Sequence, residues 1–171
     1  MSRSIDFFEN QFRRQVVEGD FSLNPFETVA LEYVTGDVLD LGCGLGNLTL
    51  EAARRGCRMT AVDVSPTAID RIRRAAAAEG LQITALTSDL TVEDVPGNFD
   101  VVVAIGILMF FPANRAQALL KQVCECVRPG GLAVVNVLVQ GTTFLDMFEP
   151  GCGHLFERAE ILRPFSGWQI L

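Results

Sequence analysis

The sequence VLDLGCGLGNLTL, residues 38–50, joins an apolar run to three glycines at alternate positions. The apolar run, which contains the acid Asp40, is typical of a buried strand. The residues after the last glycine are typical of a helix. Because glycine lacks a Cβ, Gly42, Gly44 and Gly46 allow a left-handed backbone and a close approach of a ligand. The stretch therefore predicts a nucleotide-like ligand at a turn between a strand and a helix N-terminus.

Apolar runs and helical patterns alternate along the rest of the chain. Helices are predicted at residues 4–19, 24–34, 46–56, 65–80 and 114–131, and strands at residues 36–42, 57–65, 82–90, 99–108 and 132–140. This alternation predicts an α/β fold: a Rossmann-like, doubly wound, mainly parallel sheet with helices on both faces. Ligands of such sheets bind beyond the carboxyl ends of the strands, so the residues that follow each strand are the candidates for a site.

Composition narrows the classes of partner and location. The net charge is −7 and the basic residues are scattered, whereas nucleic-acid-binding proteins usually carry a basic patch, so a nucleic-acid substrate is disfavoured. No apolar run reaches the roughly 18 residues that span a membrane, and the N-terminus lacks a signal-peptide pattern. We therefore expect a cytoplasmic protein without a membrane partner. Five cysteines at irregular spacing give no zinc pattern, so we expect packing cysteines and no metal site.

The glycine spacing argues against other nucleotides. A phosphate-binding loop for ATP or GTP requires Gly-Lys-Ser/Thr, and this chain has Gly-Asn-Leu at that place. A dinucleotide fingerprint requires G-x-G-x-x-G, whose third glycine falls on Asn47 when the pattern starts at Gly42 and on Thr49 when it starts at Gly44. An NAD-dependent or nucleotide-sugar enzyme on a similar sheet is therefore a weaker alternative.

Acids at the ends of the second and third predicted strands favour an adenosine ligand. Asp63 lies 21 residues after Gly42, where a carboxylate accepts hydrogen bonds from ribose hydroxyls. The alternative for Asp63 is a charge that stabilises the N-terminus of the next helix. Asp89 is placed to accept from the adenine amine, beside the backbone of Leu90. The alternative for Asp89 is an aspartate that caps a turn.

Five stretches, taken in order, resemble the motifs of the class I S-adenosylmethionine-dependent methyltransferases. They are LDLGCGLGN (39–47), AVDVS (61–65), SDL (88–90), FDVVVAIGILMFF (99–111) and VRPGGLAVV (127–135). FRRQVV at residues 12–17 and ILMFF at residues 107–111 also resemble the tellurite-resistance (TehB-like) subgroup of small methyltransferases. The resemblance implies S-adenosyl-L-methionine as the cofactor and methyl transfer as the activity.

The resemblance also implies roles for individual residues of the cofactor site. It assigns the methionine part to Asp40, Gly42 and Gly44, the ribose to Asp63, the adenine to Asp89 and Leu90, the cofactor's amino group to the carbonyls of Ala104 and Ile105, and the walls to Val64 and Met109. No residue is assigned as catalytic. Because the methyl group is already activated in the cofactor, the protein's tasks are binding, orientation and exclusion of water.

The acceptor is expected to be a small molecule or an oxyanion, methylated by direct in-line displacement. Family members that methylate nucleic acids or proteins often carry an Asn/Asp-Pro-Pro-aromatic tetrapeptide after the fourth strand, where this chain has IGIL, residues 105–108. Met109 and Phe110 follow and indicate an apolar substrate pocket, unless they only pack between strand and helix. His154, the one histidine, is either a base or a loop residue that is packed or on the surface.

The N-terminal helix predicts a lid. Phe8 and Phe12 are four residues apart and share one face, which we expect to lie over the cofactor, with Phe12 and Arg13 in the substrate pocket. Arg13 or Arg14 would then meet an anionic substrate. The alternative is a helix that simply packs on the sheet.

We predict a single domain over residues 1–171, with a helical lid or cap region at 1–35, a cofactor-binding core at 36–140 and an incomplete C-terminal part at 141–171. SGWQIL, residues 166–171, is predicted to begin a sixth strand, and nothing remains for the seventh strand usual in the family. We therefore expect a truncated sequence or a fifth strand that pairs with a neighbouring chain. We expect a monomer or weak homodimer. A non-catalytic S-adenosylmethionine-binding module would share all the cofactor motifs and is the alternative to an enzyme.

Overall fold

The centre of the molecule is a parallel sheet. The structure is a computed structural model, described for residues 3–19, 21–95, 97–144, 148 and 153–171. The strands are β1 (Asp37–Leu41), β2 (Arg58–Asp63), β3 (Ile83–Thr87), β4 (Phe99–Ile105) and β5 (Val127–Asn136). Every pairing between them is parallel, and their order in the sheet is β3-β2-β1-β4-β5. The α/β, Rossmann-like, doubly wound fold predicted from the sequence is confirmed.

Helices cover both faces of this sheet. They are α1 (Arg3–Glu18), α2 (Pro25–Ala30), α3 (Asn47–Arg54), α4 (Pro66–Glu79), α5 (Ala113–Cys126) and α6 (Arg158–Leu162), with 3₁₀ helices at Leu108–Phe110 and Arg163–Phe165. On one face, Leu39 and Val102 share a buried cluster with Leu119 of α5. On the other face, Val38 clusters with Leu48 of α3. Neighbouring residues of a strand point to opposite faces, so β1 contributes to both clusters.

The strand order reverses at β1, which lies between β2 and β4. One half of the chain winds outward from β1 through β2 to β3, and the other half winds through β4 to β5. Such a reversal opens a crevice beyond the carboxyl ends of the central strands. The glycine turn that follows β1 lies at this point and leads directly into α3.

The N-terminus of α2 has a capping box formed by Asn24 and Glu27. The Asn24 side chain accepts hydrogen bonds from the backbone N–H groups of Phe26 and Glu27, both at 2.9 Å. The Glu27 carboxylate accepts in return from the Asn24 N–H at 2.8 Å, and Pro25 is the first helical residue. The box satisfies N–H groups that a helix start would otherwise leave without partners.

Asn24→Ala is expected to lower the free energy of unfolding by about 1 kcal/mol, because the first turn of α2 loses its acceptor. Asn24→Asp keeps an acceptor in the same place and should change it much less. Urea unfolding followed by circular dichroism measures both variants. Equal stability of the wild type and the alanine variant would contradict the capping role.

The end of α5 differs from the sequence prediction. The helix stops at Cys126 rather than running to the Pro-Gly-Gly segment, because Val127 already pairs with Phe99 in the sheet. A shift in register follows, so that the next pair is Val101 with Leu132. Arg128 therefore lies in β5, where its guanidinium binds the carboxylates that begin β1 and β4.

The prediction of a strand at residues 166–171 is wrong. Ser166 and Gly167 form a turn, and the residues after them have no strand partner among the described residues. Trp168 instead packs edge-on against Phe165, with ring centroids 5.3 Å apart. Phe165 is itself buried in the cluster that covers the α5 face of the sheet. No described helix has the length and hydropathy needed to cross a bilayer.

Candidate active site

A cleft lies beyond the carboxyl ends of β1 to β4, with about 800 Å³ of empty space that is partly open to solvent. Residues from four strand ends and from α1 form its walls. They are Gly42 and Gly44 after β1, Asp63, Val64 and Ser65 at the end of β2, Ser88, Asp89, Leu90 and Thr91 after β3, Gly106, Ile107, Phe110 and Phe111 after β4, and Phe8 and Phe12 of α1. The cleft therefore has a polar wall from β2 and β3 and an aromatic wall from α1 and the end of β4.

The glycine turn forms the floor of the cleft. Its glycines have φ values of +69° at Gly42, +52° at Gly44 and +74° at Gly46, a region that other residues rarely adopt. A side chain at Gly42 would collide with Ile107, and one at Gly46 would collide with Ile72. Gly44 alone of the three has its open side covered by an aromatic ring of α1. Gly42 and Gly46 therefore leave room for the isoleucines packed against them, and Gly44 leaves room for the ring above it.

Asp63 ties the turn to the end of β2. Its Oδ2 accepts from the Gly44 N–H at 2.9 Å, and its Oδ1 accepts from the Ser65 N–H at 2.9 Å. The side chain is nearly buried, and this burial raises the pKa of Asp63, although hydrogen bonds from the Ser65, Gly44 and Val64 N–H groups oppose the shift. Each carboxylate oxygen has more than one lone pair, so both retain capacity to accept from a ligand in the cleft.

Asp89 both caps a turn and faces the cleft, so its two sequence interpretations are compatible. Its Oδ1 accepts from the Thr91 N–H at 2.9 Å and from the Thr91 hydroxyl at 2.6 Å. Asp89, Leu90 and Thr91 all line the cleft. The local bonds fix the carboxylate at the wall.

Arg115 of α5 holds this wall from behind. Its Nε donates to the Leu90 carbonyl at 2.6 Å, one terminal nitrogen donates to the Glu93 carbonyl, and the other donates to Asp94 Oδ1 at 3.0 Å. The Arg115 side chain is 17% exposed. The planar guanidinium therefore fixes the backbone of the segment after β3 through a fork of donors.

Asp40 lies behind the glycine turn rather than in the cleft wall. It is 4% exposed, and its Oδ2 accepts from the Thr49 hydroxyl at 2.6 Å. Burial raises the pKa of Asp40 to about 7, since the single hydroxyl bond offsets little of the lost solvation and the charges of Glu27 and Asp63 add to the shift.

Helix α1 forms the roof of the cleft. The Phe8 ring meets Phe110 edge-on at 5.0 Å between centroids, and Phe12 lies 6.0 Å from Phe8. Phe110 in turn contacts Phe148 at 5.3 Å. Rings from three separate segments of the chain therefore form one apolar cluster at the aromatic side of the cleft.

The structure brings most of the predicted site residues together. Those on the cleft walls are Gly42, Gly44, Asp63, Val64, Asp89, Leu90, Phe12 and Phe110. Five predicted site residues do not line the cleft: Asp40, Ala104, Ile105, Met109 and Arg13.

The positions of the residues outside the cleft walls have simple structural reasons. Ala104 and Ile105 still belong to β4 and pair with β5, so the wall is made by the residues that follow them. Met109 is buried, and its carbonyl accepts from the His154 N–H at 2.9 Å. Arg13 is 69% exposed, and its Nε donates to Glu9 at 2.9 Å, one helical turn away.

Some wall residues were missed by the sequence analysis. Ser88, Thr91, Gly106 and Ile107 were not assigned to the site, although they lie within a few residues of the ends of β3 and β4. The rule that ligands bind where strands end would have found Gly106 and Ile107 if the fourth strand had been ended at Ile105.

His154 takes the role of a packed loop residue. Its Nε2 lies 2.7 Å from Glu160 Oε1, and its ring packs on Phe156 at 4.5 Å between centroids. Hydrogen bonds from Gln117 and His154 outweigh the effect of burial and lower the pKa of Glu160. His154 is absent from the walls of the cleft, so nothing in its position supports a role as a base.

Comparison with known proteins gives a consistent family. The sequence profile described as "Methyltransferase domain" matches residues 38–131, more than half of the chain. The carboxy-S-adenosyl-L-methionine synthase of Shewanella frigidimarina (strain NCIMB 400) is 31% identical over 142 residues, which cover 78% of this chain and 58% of that protein. This chain therefore spans less than two thirds of the length of that relative.

Two solved structures share the fold. TehB from Haemophilus influenzae matches with a TM-score of 0.75 at 21% identity, over 92% of this chain and 55% of that one. Magnesium protoporphyrin IX methyltransferase (ChlM) from Synechocystis PCC 6803, with bound SAM, matches with a TM-score of 0.60 at 19% identity, over 98% of this chain and 73% of that one. At these identities the likeness concerns the fold alone.

Proposed function

The chain belongs to the family of methyltransferase domains, and from this premise we propose that it transfers a methyl group from S-adenosyl-L-methionine to a small-molecule or oxyanion acceptor. The observation that carries the proposal is the meeting of Gly44, Asp63 and Asp89 on one cleft. These residues come from three different strand ends, and the strand order brings them together at the usual ligand site of such sheets.

The residues of the cleft fit this cofactor from end to end. Asp63 and Asp89 offer carboxylate acceptors to the hydroxyls and amine of an adenosine. Gly44 has no side chain on the side that faces the cleft. The ring of Phe110 offers a face that attracts a cation such as a sulfonium. When bound, the cofactor supplies a methyl group that is already activated.

The chain's own residues would bind, orient and exclude water. Asp63 would hold the ribose while its bond to the Gly44 N–H keeps the turn in shape, so one carboxylate serves both tasks. Ile107 and Phe110 would keep water from the reacting atoms. Holding the acceptor in line with the bond that breaks contributes several kcal/mol, within the range of about 7–11 kcal/mol assigned to proximity. No general base is assigned to this transfer.

We also propose that residues 1–35 act as a lid and that the acceptor class is that of the tellurite-resistance subgroup. The position of Phe8 and Phe12 on the cleft wall supports the lid. The stretches FRRQVV and ILMFF support the subgroup. An acceptor of this class that is already an anion would need no proton removed by the protein.

The test is the formation of S-adenosylhomocysteine from S-adenosylmethionine across a panel of acceptors that includes tellurite, selenite, small thiols and small phenols. Turnover with one class supports the proposal and names the acceptor. Tight cofactor binding without turnover on any of them would favour the second candidate, a non-catalytic S-adenosylmethionine-binding module. Calorimetry with S-adenosylmethionine against NAD separates both from a dinucleotide enzyme.

Asp63→Ala is expected to weaken S-adenosylhomocysteine binding at least about tenfold, since even one lost hydrogen bond to a charged acceptor is worth about 1.4 kcal/mol or more. Asp70→Ala is the matched control, because Asp70 is an exposed acid outside the cleft walls. Isothermal titration calorimetry measures both, and thermal melting checks that the turn still folds. Unchanged affinity in a folded Asp63→Ala variant would remove the ribose assignment.

A further inference from the structure

Phe12 closes the cleft at Gly44. Its Cζ lies 3.3 Å, and its Cε1 3.5 Å, from the position that a Cβ of Gly44 would take. Carbon atoms in contact are about 3.5–4.0 Å apart, so a single methyl group on Gly44 would already touch the ring, and the gap between the ring and the turn has no room for more than that. The open sides of Gly42 and Gly46 are filled by framework residues, whereas that of Gly44 is covered by a side chain of a peripheral helix.

Glu9 fastens α1 in this position. Its Oε2 accepts from the Ser65 hydroxyl and its Oε1 accepts from the Thr67 hydroxyl, both through short hydrogen bonds. Arg13 of the same helix donates to Oε1 at 2.9 Å. Ser65 caps α4 and Thr67 lies in its first turn, directly after Asp63. The carboxylate therefore connects the roof to the rim of the expected ribose site by charge-assisted bonds.

The rest of α1 is attached weakly. Phe7 is 56% exposed and Val17 is 87% exposed, so much of its apolar surface faces solvent. Beyond the Glu9 bonds, Phe8 and Phe12 supply its contacts with the cleft. A segment with few buried contacts opens at a small cost in free energy.

We propose that α1 is a self-occluding gate, in which Phe12 takes the place of the cofactor's methionyl arm above Gly44 and Glu9 latches it there. The inference rests on the proposed function, because it requires S-adenosylmethionine to bind across Gly44. Binding must then displace Phe12. The apparent affinity for the cofactor is lowered in proportion to the fraction of molecules that are closed.

The first experiment compares the affinity of S-adenosylhomocysteine for wild type, Phe12→Ala and Thr67→Val by calorimetry. Phe12→Ala is expected to bind S-adenosylhomocysteine about threefold or more tightly, because the Phe12 ring no longer occupies part of the cleft. Thr67→Val removes one latch bond without altering α1 and should tighten binding about twofold. Val17→Ala changes an exposed residue of the same helix and should bind like the wild type.

The second experiment needs no ligand and measures hydrogen exchange of the amides of α1. Glu9→Ala should exchange faster than the wild type. Arg13→Ala, which breaks the Glu9–Arg13 pair but keeps both hydroxyl bonds to Glu9, should exchange much less fast than Glu9→Ala. Equal exchange in Glu9→Ala and Arg13→Ala would overturn the latch.

The outcomes distinguish this inference from the proposed function. Affinity that is equal or weaker in Phe12→Ala than in the wild type, with both folded, would overturn the gate and leave the proposed function standing. Absence of binding by every protein, Phe12→Ala included, would overturn the proposed function and the gate with it. Binding by Phe12→Ala where the wild type binds weakly supports both.

Discussion

Gly46→Ala is expected to lower the free energy of unfolding by about 2–5 kcal/mol. An alanine held at φ +74° costs about 1–2 kcal/mol. Its Cβ would also collide with the side chain of Ile72, which is fully buried, and overpacking of this kind costs about 1–3 kcal/mol. Urea unfolding of the two proteins measures the difference.

Gly80→Ala is the matched control for the backbone term. Gly80 has a similar φ of +66° at the end of α4, but nothing lies within 4 Å of its Cβ position. Gly80→Ala should therefore lower the free energy of unfolding only by the cost of the left-handed backbone, about 1–2 kcal/mol. If Gly46→Ala cost no more than Gly80→Ala, the close contact with Ile72 would not be part of the native packing.

The free energy of unfolding of Asp40→Asn, measured relative to that of the wild type, is expected to be higher at pH 8 than at pH 4 by up to about 4 kcal/mol. The pKa of Asp40 is raised by burial from its ordinary value of 3.8 to about 7. Between these values the unfolded chain ionises this carboxyl while the folded protein keeps it protonated. The wild type therefore loses stability as the pH rises from about 4 to 7, and the loss is constant above that range.

The measurement is the free energy of unfolding of both proteins across pH 4 to 8 without ligand. Asparagine cannot ionise, and its side-chain oxygen still accepts from the Thr49 hydroxyl, so the difference between the proteins should grow with pH. Parallel pH profiles would show that Asp40 is ionised in the native state throughout.

Much of the fold was predictable because both faces of the sheet are covered. Strands buried on both faces are continuous apolar runs, and that is how Val101, Val102 and Val103 identify β4. Helix ends that depend on local bonds, such as the Asn24 cap, were also predictable. The end of α5 was not, because the pairing of Val127 with Phe99 depends on a distant strand.

The site was predictable where it depends on strand ends and not where it depends on neighbouring elements. Asp63 is the last residue of β2 and Asp89 lies just after β3, so both lie on the cleft, as the topology requires. Arg13 was expected to meet a substrate, but Glu9 is one turn away in sequence and takes its guanidinium. The contacts of Glu9 with Ser65 and Thr67 join residues more than 50 positions apart, and no local pattern announces them.

The way Arg115 supports the segment after β3 has an evolutionary consequence. Two of its three acceptors are the main-chain carbonyls of Leu90 and Glu93, and every amino acid supplies such a carbonyl. Substitutions at residues 90–93 can thus change the side chains of this segment without moving its main chain. Paralogues that retain the arginine would be free to diversify in ligand preference, and drift at these positions should outpace drift at residue 115.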